Sequence, residues 1–369
     1  MKRILFAAAL LLISFNHVNG QEVFSEYQGT WRAEVLNILK TEPRIIPGTE
    51  NSENIQTLSA RIIDGPKKGE VVTIKNDFLK LKEGSKFYFS YNIDVGGVHN
   101  YNVLSVDRRG SLIFLIAMFS LAVVVFGGFQ GLRSLLALAG SFLAVFYILV
   151  PGLLGGWHPL IASFSVAAGI LFAAIFFTHG LNKESLVAYT GTMIAVILTS
   201  VFALIAVKMT GLTGFATDEA VYLDFDTKGA LDFTSILLGA IIIGVLGVLD
   251  DIAITQAAVV TELYGSNPSL SKLEVYRRAI RIGREHVGAL VNTLVLAYTG
   301  ASLPLLLYFS LSTSTLGSIV NTEIIATEIV RAVVGSLGLI LTVPIVTILA
   351  VFYLKDYKGG HSHHHGAHH

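Results

Sequence analysis

The sequence contains no cysteine, which excludes disulfide bonds, thiol catalysis and cysteine-based metal sites and leaves the cellular compartment open. Charged residues are also scarce, since they make up 14% of the chain, against about 25% in an average soluble protein. The net formal charge is zero and no basic stripe lies outside one segment near residue 280, so no nucleic-acid partner is expected. The motifs of P-loop nucleotide hydrolases, zinc proteases and serine hydrolases are absent, and no cofactor or metal is predicted.

The few charges are unevenly distributed. Residues 21–110 carry 24 of the 52 charged residues, although this segment is only a quarter of the length. The rest of the chain contains uncharged, strongly hydrophobic stretches of roughly twenty residues, a length that spans a bilayer. This pattern rules out a soluble enzyme and a disordered chain. It predicts a membrane protein that crosses the bilayer several times.

Both ends of the chain have recognisable sequence patterns. Residues 1–20 have the pattern of a secretory signal peptide, with Lys2 and Arg3 followed by a short apolar run and small residues up to Gly20. An uncleaved anchor is the alternative, and with either one the next segment would be exported. The tail at residues 359–369 is rich in histidine. It could bind transition metals or be a purification tag, so no function is assigned to it.

Residues 21–110 are predicted to form a small extracytoplasmic all-β domain. Five short segments are rich in β-branched and aromatic residues and are bounded by turn residues, which is typical of strands. A turn at Asp64–Gly69 joins the second and third strands, and residues 43–54 are expected to form a long loop. Five strands of this size suit a small barrel of the OB type. The predicted strands are residues 30–39, 57–63, 70–75, 86–92 and 101–106.

Residues 111–358 are predicted to form a membrane-embedded all-α bundle. Seven apolar segments are each long enough, at about 1.5 Å per residue, to cross a hydrocarbon core of about 30 Å. After removal of the signal peptide, seven crossings place the N-terminal domain outside and the C-terminus in the cytoplasm. The predicted spans are residues 111–129, 132–150, 160–178, 186–207, 231–249, 288–309 and 324–354.

The distribution of basic residues predicts the same orientation independently. In this topology nine lysines and arginines lie on the cytoplasmic side and two in short exterior loops, in agreement with the positive-inside rule. The cytoplasmic group is Arg133, Lys183, Lys272, Arg277, Arg278, Arg281, Arg284, Lys355 and Lys358, and the exterior group is Lys208 and Lys228.

Polar residues that could carry chemistry are concentrated between residues 239 and 300. Adjacent aspartates, Asp250 and Asp251, lie where the fifth span should reach the cytoplasm, and Asn267-Pro268 should end that helix. The next helix should begin at a Ser269 or Ser271 cap. Helical spacing places acids along one helix and arginines along the next, antiparallel one. The predicted ion or substrate site comprises Asp250, Asp251, Thr255, Glu262, Arg281, Arg284, Glu285 and Asn292.

Two interpretations of these residues stay open. Ionisable groups at membrane depth are costly and usually face a bundle interior or a water path, which favours a hydrated cavity that binds an ion or solute. Alternatively, the carboxylates and arginines form interhelical ion pairs and anchor the protein at the inner leaflet. A separate local ion pair is expected between Glu328 and Arg331, three residues apart in the last span.

The sequence also resembles a known family. The segments GVLDDIAITQAAVVTEL at 247–263 and YRRAIRIGREHVGALVNTLVLAYTGASLPLLL at 276–307 are similar to the YibE/F family of bacterial membrane proteins. WRAEVL at 31–36 and IIDGPKKGEVVTIKN at 62–76 resemble the exported domain of that family. The resemblance implies a polytopic inner-membrane protein with a β-rich exported domain. It does not imply a biochemical activity.

The interpretation we favour is a permease-like transporter or exporter of a small solute or ion, with its acidic site at the cytoplasmic end of span five. The alternative is a membrane scaffold or accessory protein whose β domain binds an exported protein. An intramembrane enzyme is a third and weaker interpretation, because it needs two catalytic groups that face each other. Beyond the lipid bilayer, the partners therefore predicted are an unknown small solute or ion and an exported protein.

Overall fold

The computed structural model describes residues 29–45, 52–77, 79–93 and 98–355. The predicted signal peptide at 1–20 and the histidine-rich tail at 359–369 lie outside these residues. The chain divides into two compact units, one ending at Phe119 and one beginning at Ser120.

The first unit contains a five-stranded antiparallel sheet. Its strands lie in the order β3-β2-β1-β4-β5, and the edge strands β3 and β5 also approach each other, with Cα atoms within 8 Å. The sheet thus curves into a half-barrel around an apolar core that includes Leu58, Phe87 and Phe89. The strands are β1 (Gly29–Ile45), β2 (Ser52–Ile62), β3 (Val71–Asn76), β4 (Lys86–Ile93) and β5 (His99–Val106).

All five predicted strands are present, but the loop predicted at 43–54 is wrong at both ends. β1 and β2 continue to pair as far as Ile45 and Ser52, so strand extends into that segment from either side. β4 pairs with β1 only over Gly29–Glu34, and β3 pairs with β2 only from Gln56 onward. The far ends of β1 and β2 therefore form a two-stranded arm, because neither has a second neighbouring strand there.

An ion network links the start of the sheet to the first helix in the described part of the chain. The backbone and guanidinium of Arg32 donate to Asp64 at 2.7 and 2.6 Å. Asp107 lies 3.7 Å from Arg32 and accepts a hydrogen bond from the guanidinium of Arg109 at 2.7 Å. The Arg109 hydrogen bond holds the pKa of the Asp107 carboxyl well below its usual range. These contacts fix the end of β5 and the beginning of the helix against β1.

The rest of the described chain is helical. Five of its helices are long and apolar enough to cross a membrane, and a sixth span is counted if α7 and α8, bent by 60°, form one crossing. The helices are α1 (Arg109–Ala144), continued by a π-helical turn (Val145–Leu149) and α2 (Val150–Leu154), then α3 (Pro159–His179), α4 (Lys183–Thr210), α5 (Asp218–Asp226), α6 (Phe233–Ser266), α7 (Lys272–Ala301), α8 (Leu303–Ser310), α9 (Leu316–Val320) and α10 (Glu323–Tyr353).

The expected count of seven differs because the first two predicted spans lie in one apolar helix of 46 residues, Arg109–Leu154. That helix is interrupted at Gly128, where φ is 54° and ψ is −136°. A Cβ atom on Gly131 would lie 2.3 Å from the carbonyl oxygen of Val123, eight positions earlier. In an uninterrupted helix residues eight apart are separated by about 12 Å. The chain therefore bends sharply at Gly128, in a conformation that favours glycine.

The core of the helical unit lies where α4, α6 and α10 pack together, with α3 against α6. Over half of the most apolar stretch of α6 is buried, 56%, against 0% for the helix at 109–154. As predicted, α6 ends immediately before Asn267-Pro268, and Ser271 caps α7 by accepting a hydrogen bond from the backbone N–H of Glu274. α6 is thus the central helix, and residues on it can face cavities between its neighbours.

Candidate functional site

The two adjacent aspartates lie within a continuous stretch of α6, which extends well beyond the predicted span of 231–249. Asp250 lies about 26 Å along the helix axis from Phe233, at about 1.5 Å per residue. Successive side chains on a helix point about 100° apart. Asp250 is accordingly half-buried against the bundle, whereas Asp251 is exposed. The acidic pair in the sequence is therefore divided between two environments.

Asp250 lines a cavity of about 450 Å³ between the second half of α1, α3 and α6. Most of the lining is apolar, with Leu138, Phe142 and Leu171 among the contributors. The polar groups come from all three helices, and they are Ser134, Ser141, Thr178, His179 and Asp250. The hydroxyl of Ser141 donates to the Ala137 carbonyl at 2.9 Å, so its oxygen lone pairs stay available to a ligand.

The carboxylate of Asp250 is incompletely satisfied. Its Oδ1 atom is buried and has no hydrogen-bond partner among the described residues. Within the same residues, no ion pair joins an α6 carboxylate to the arginines of α7, and Arg281 and Arg284 are exposed. A buried polar atom without a partner is uncommon in native proteins and is a natural position for a ligand atom.

The other predicted site residues lie along the outer surfaces of α6 and α7. Thr255 is half-buried and donates to the backbone carbonyl of Asp251 at 2.8 Å, one turn earlier. The remaining members are exposed and line no cavity described here; they are Glu262, Arg281, Arg284, Glu285 and Asn292. Of the eight predicted residues, Asp250 is the one that lines any of the four cavities considered among the described residues.

A buried glutamine that the sequence analysis missed joins three helices close to these residues. Gln256 of α6 donates through Nε2 to the carbonyl of Ala279 in α7 at 3.0 Å and to Oγ1 of Thr347 in α10 at 2.7 Å. The contact is possible because Gly283 has no side chain, and a Cβ there would lie 2.5 Å from Val343. Gln256 is satisfied by protein atoms, so its role is to hold α6, α7 and α10 together.

A second group of ionisable residues lies near the start of α10. Arg331 donates to Glu328 at 2.8 Å, which confirms the predicted local ion pair. The Arg331 guanidinium also lies 5.9 Å from the ring centroid of Tyr298 in α7. Glu328 and Tyr298 line a cavity of about 430 Å³ between α7, α8 and α10. The charges of this group compensate each other, in contrast to Asp250.

Sequence reasoning did not find the residues that surround Asp250. Ser134 and Ser141 belong to the second apolar segment, and Thr178 and His179 lie at the end of α3. Each looks like an isolated polar residue in a hydrophobic run or a turn. The seven-residue spacing of Ser134 and Ser141 on one helical face is the only local signal that pointed to a shared surface.

The helices that surround Asp250 lie within a match to a known protein family. The model of the YibE/F-like proteins matches residues 115–356, which is more than half of the chain. The chain belongs to the YibE/F-like family. The match includes Asp250, all of its cavity neighbours and both ends of the Glu328–Arg331 ion pair, so the polar groups of the helical unit lie within the family domain.

The β half-barrel of this YibE/F-like protein lies outside the matched residues, since the match begins within α1. The similarity of its segments at 31–36 and 62–76 to the exported domain of the family therefore stays a prediction. Searches of the curated proteins and of the solved structures found no match to the chain. Together with the apolar helices, family membership indicates a membrane protein with several spans.

Proposed function

We propose that the protein is a permease-like transporter or exporter of a small solute or ion, and that Asp250 is its central binding group. One arrangement carries the proposal: Asp250 lines a cavity between membrane-length helices, and one oxygen of its carboxylate is buried without a hydrogen-bond partner among the described residues. Ionisable groups in such positions are costly unless a ligand, proton or water path uses them. The solute would bind between α1, α3 and α6.

Our proposal includes seven crossings. The bend at Gly128 divides the 46-residue helix into two segments, and the bent pair α7–α8 counts as one crossing. With α3, α4, α6 and α10 this makes seven. The basic residues of α7, such as Arg277, Arg281 and Arg284, are exposed, in keeping with a cytoplasmic location. The protein would lie in the inner membrane, with the β unit outside and the C-terminus in the cytoplasm.

An OB-like barrel is the finer fold we propose for the exported unit. The strand order, in which β1 pairs with both β2 and β4, supports it, as does the approach of β3 to β5. An OB-type barrel is closed or partly open and offers a strand face to ligands. No ligand is assigned to this unit.

Transport can be tested on purified protein reconstituted into liposomes that are adsorbed to a solid-supported membrane. Concentration jumps of protons, sodium, potassium and small ammonium ions should produce a transient current for at least one of these probes. Asp250→Asn should reduce that current about tenfold or more, because the neutral amide removes the charge that binds the solute. Glu274→Gln removes an exposed carboxylate at the start of α7 and should leave the current at the parent level.

Two results would overturn the transport proposal. One is that no probe gives a current above that of protein-free vesicles. The other is that Asp250→Asn, folded and inserted as judged by gel filtration and thermal unfolding, gives the parent current.

The two-stranded arm of β1 and β2 supports a second candidate function, a scaffold that binds an exported protein. Glu42 and Arg44 on this arm are exposed, and isolated two-stranded ribbons are only marginally stable in water. A photo-crosslinker at Arg44 should then capture one stoichiometric partner in cells. A crosslinker at the exposed Lys82, away from the arm, is the matched control, and equal capture at both positions would count against the scaffold.

A further inference from the structure

We propose that the cavity beside Asp250 selects a monovalent organic cation, an ammonium group that carries small alkyl substituents. This inference rests on the proposed transport function and names the chemical class of its substrate. It follows from three properties of the cavity: its charge, its donor set and its apolar wall.

The charge of the cavity selects cations. Asp250 is the one carboxylate among its lining residues, no lysine or arginine lines it, and the one basic side chain there is the exposed His179. No ion pair of Asp250 occurs among the described residues, so its carboxylate would stabilise a positively charged N–H or N–CH₃ group in the cavity. An anion would meet an uncompensated negative charge in a poorly solvated site, and would be rejected.

The oxygen atoms of the cavity do not suit a metal ion. One carboxylate and the hydroxyls of Ser134, Ser141 and Thr178 fall short of the six to eight oxygen ligands, roughly, that calcium prefers. No group of three or more acidic or histidine side chains that could hold a metal occurs in the described part of the chain. A strongly hydrated inorganic ion would therefore lose more hydration than these groups replace.

The apolar wall favours a cation with a hydrophobic body. Leu138, Phe142, Ile170 and Leu171 line the cavity together with Asp250. Alkyl substituents on an ammonium group would be removed from water against these side chains. The Phe142 ring adds a surface that attracts cations. A volume of about 450 Å³ lies within the range of small-molecule sites, so a substituted ammonium ion of a few carbon atoms has room.

The test measures equilibrium binding to the purified full-length protein, with choline as the probe. Its neutral carbon analogue, 3,3-dimethylbutan-1-ol, has the same shape without the charge. Choline should bind at least about tenfold more tightly than the neutral analogue. Asp250→Asn should abolish most of that difference, whereas Asp250→Glu should retain it, because the charge is kept. Butyrate, an anion of similar size, should not bind.

Replacing each of two neighbouring alanines with leucine provides a second test if Asp250→Asn fails to fold. Ala174 lines the cavity and its neighbour Ala173 is exposed and does not. Ala174→Leu should weaken choline binding about tenfold by filling the cavity, and Ala173→Leu should leave binding at the parent level.

The outcomes separate this inference from the transport proposal. Equal binding of choline and its neutral analogue, or parent-level binding by Ala174→Leu, overturns the choice of an organic cation. If proton or sodium currents still depend on Asp250 in that case, transport stands and only the substrate class is wrong. If no probe current depends on Asp250 either, both proposals fail.

Discussion

Asp250 in α6 and the Glu328–Arg331 pair in α10 are ionisable side chains within apolar helices. They differ in whether a neighbouring side chain of opposite charge compensates them. Glu328 accepts a hydrogen bond from Arg331 at 2.8 Å, one helical turn away. Asp250 keeps one buried oxygen without a partner among the described residues. Charge at membrane depth is costly in both places. A compensated pair is a structural solution to that cost, whereas an uncompensated carboxylate retains the capacity to bind a cation.

The largest effect that would sharpen this comparison is on stability. Glu328→Gln leaves the half-buried Arg331 without a counter-charge and should lower the free energy of unfolding by about 2–3 kcal/mol. Asp250→Asn should leave stability unchanged or raise it, because the amide removes a charge that has no partner. Thermal unfolding of the purified variants measures both. The comparison breaks if Asp250→Asn destabilises the protein as much as Glu328→Gln.

A double-mutant cycle provides the control for that experiment. If Arg331→Gln costs the protein stability, then adding it to Glu328→Gln should restore part of the loss, since neither charge is left unpaired. Strictly additive losses would mean that the ion pair contributes nothing to stability.

The next largest effect is a loss of flux, and it is expected when a cationic side chain is introduced beside Asp250. Ser141 lines the same cavity, so the ammonium of Ser141→Lys should neutralise the carboxylate and occupy the proposed substrate position. Flux should then fall about tenfold or more, although Asp250 is intact. Ser141→Met has a side chain of similar length without charge and should retain several-fold more flux. Parent-level flux in the lysine variant would contradict the role of Asp250.

A smaller effect on stability is expected for Gln256, a buried polar residue whose hydrogen-bond partners are uncharged. Gln256→Leu removes the hydrogen bonds to Ala279 and Thr347 and should lower the free energy of unfolding by about 1 kcal/mol. Binding of choline should be unaffected, since Gln256 does not line the Asp250 cavity. Thr347→Val removes one of these bonds from the other side, and the two substitutions together should cost less than their sum. Full additivity would rule out the shared bond.

The smallest effect is in the β unit, where Asp107 is paired with both Arg109 and Arg32. Because Arg109 lowers the pKa of Asp107 in the folded protein, its contribution to stability is present above the usual carboxyl pKa and is lost as the pH falls through the lowered value. Asp107→Asn should lower the melting temperature by about 1–3 °C at neutral pH. The difference from the parent should disappear in strong acid.

Trp31 provides the measurement for that prediction. It packs against Tyr91 with ring centroids 5.9 Å apart, and the chain has two tryptophans. In a Trp157→Phe background its fluorescence reports the β unit alone. A difference between Asp107→Asn and the parent that persists at low pH would show that the carboxylate charge is not responsible.

Local chemistry made much of the fold predictable. The strands follow β-branched and aromatic runs, Ser271 and Glu274 mark the start of α7, and Asn267-Pro268 marks the end of α6. These signals depend on neighbours within a few residues of the chain. The extension of β1 and β2 into residues 43–54 was missed because cross-strand pairing there overrides a polar sequence that contains proline.

The site was harder to predict because its parts are distant in sequence. The spacing of charges identified Asp250 but could not separate it from Asp251, since the packing of α6 against its neighbours, α3 among them, decides which of the two faces the cavity. Ser134, Ser141 and Thr178 carry no charge and are more than 70 residues away from Asp250 in sequence. Gln256 was missed because its partners are a backbone carbonyl and a threonine on other helices.

The sharp bend at Gly128 affects the number of membrane crossings and therefore the compartment in which the C-terminus lies. If the chain reverses there, the number of crossings is odd and the two ends of the helical unit lie on opposite sides of the bilayer. A side chain at φ 54° and ψ −136° is strongly disfavoured. Gly128→Val should therefore favour a straight helix and, by changing the parity of the crossings, move a reporter fused after the last helix to the opposite compartment.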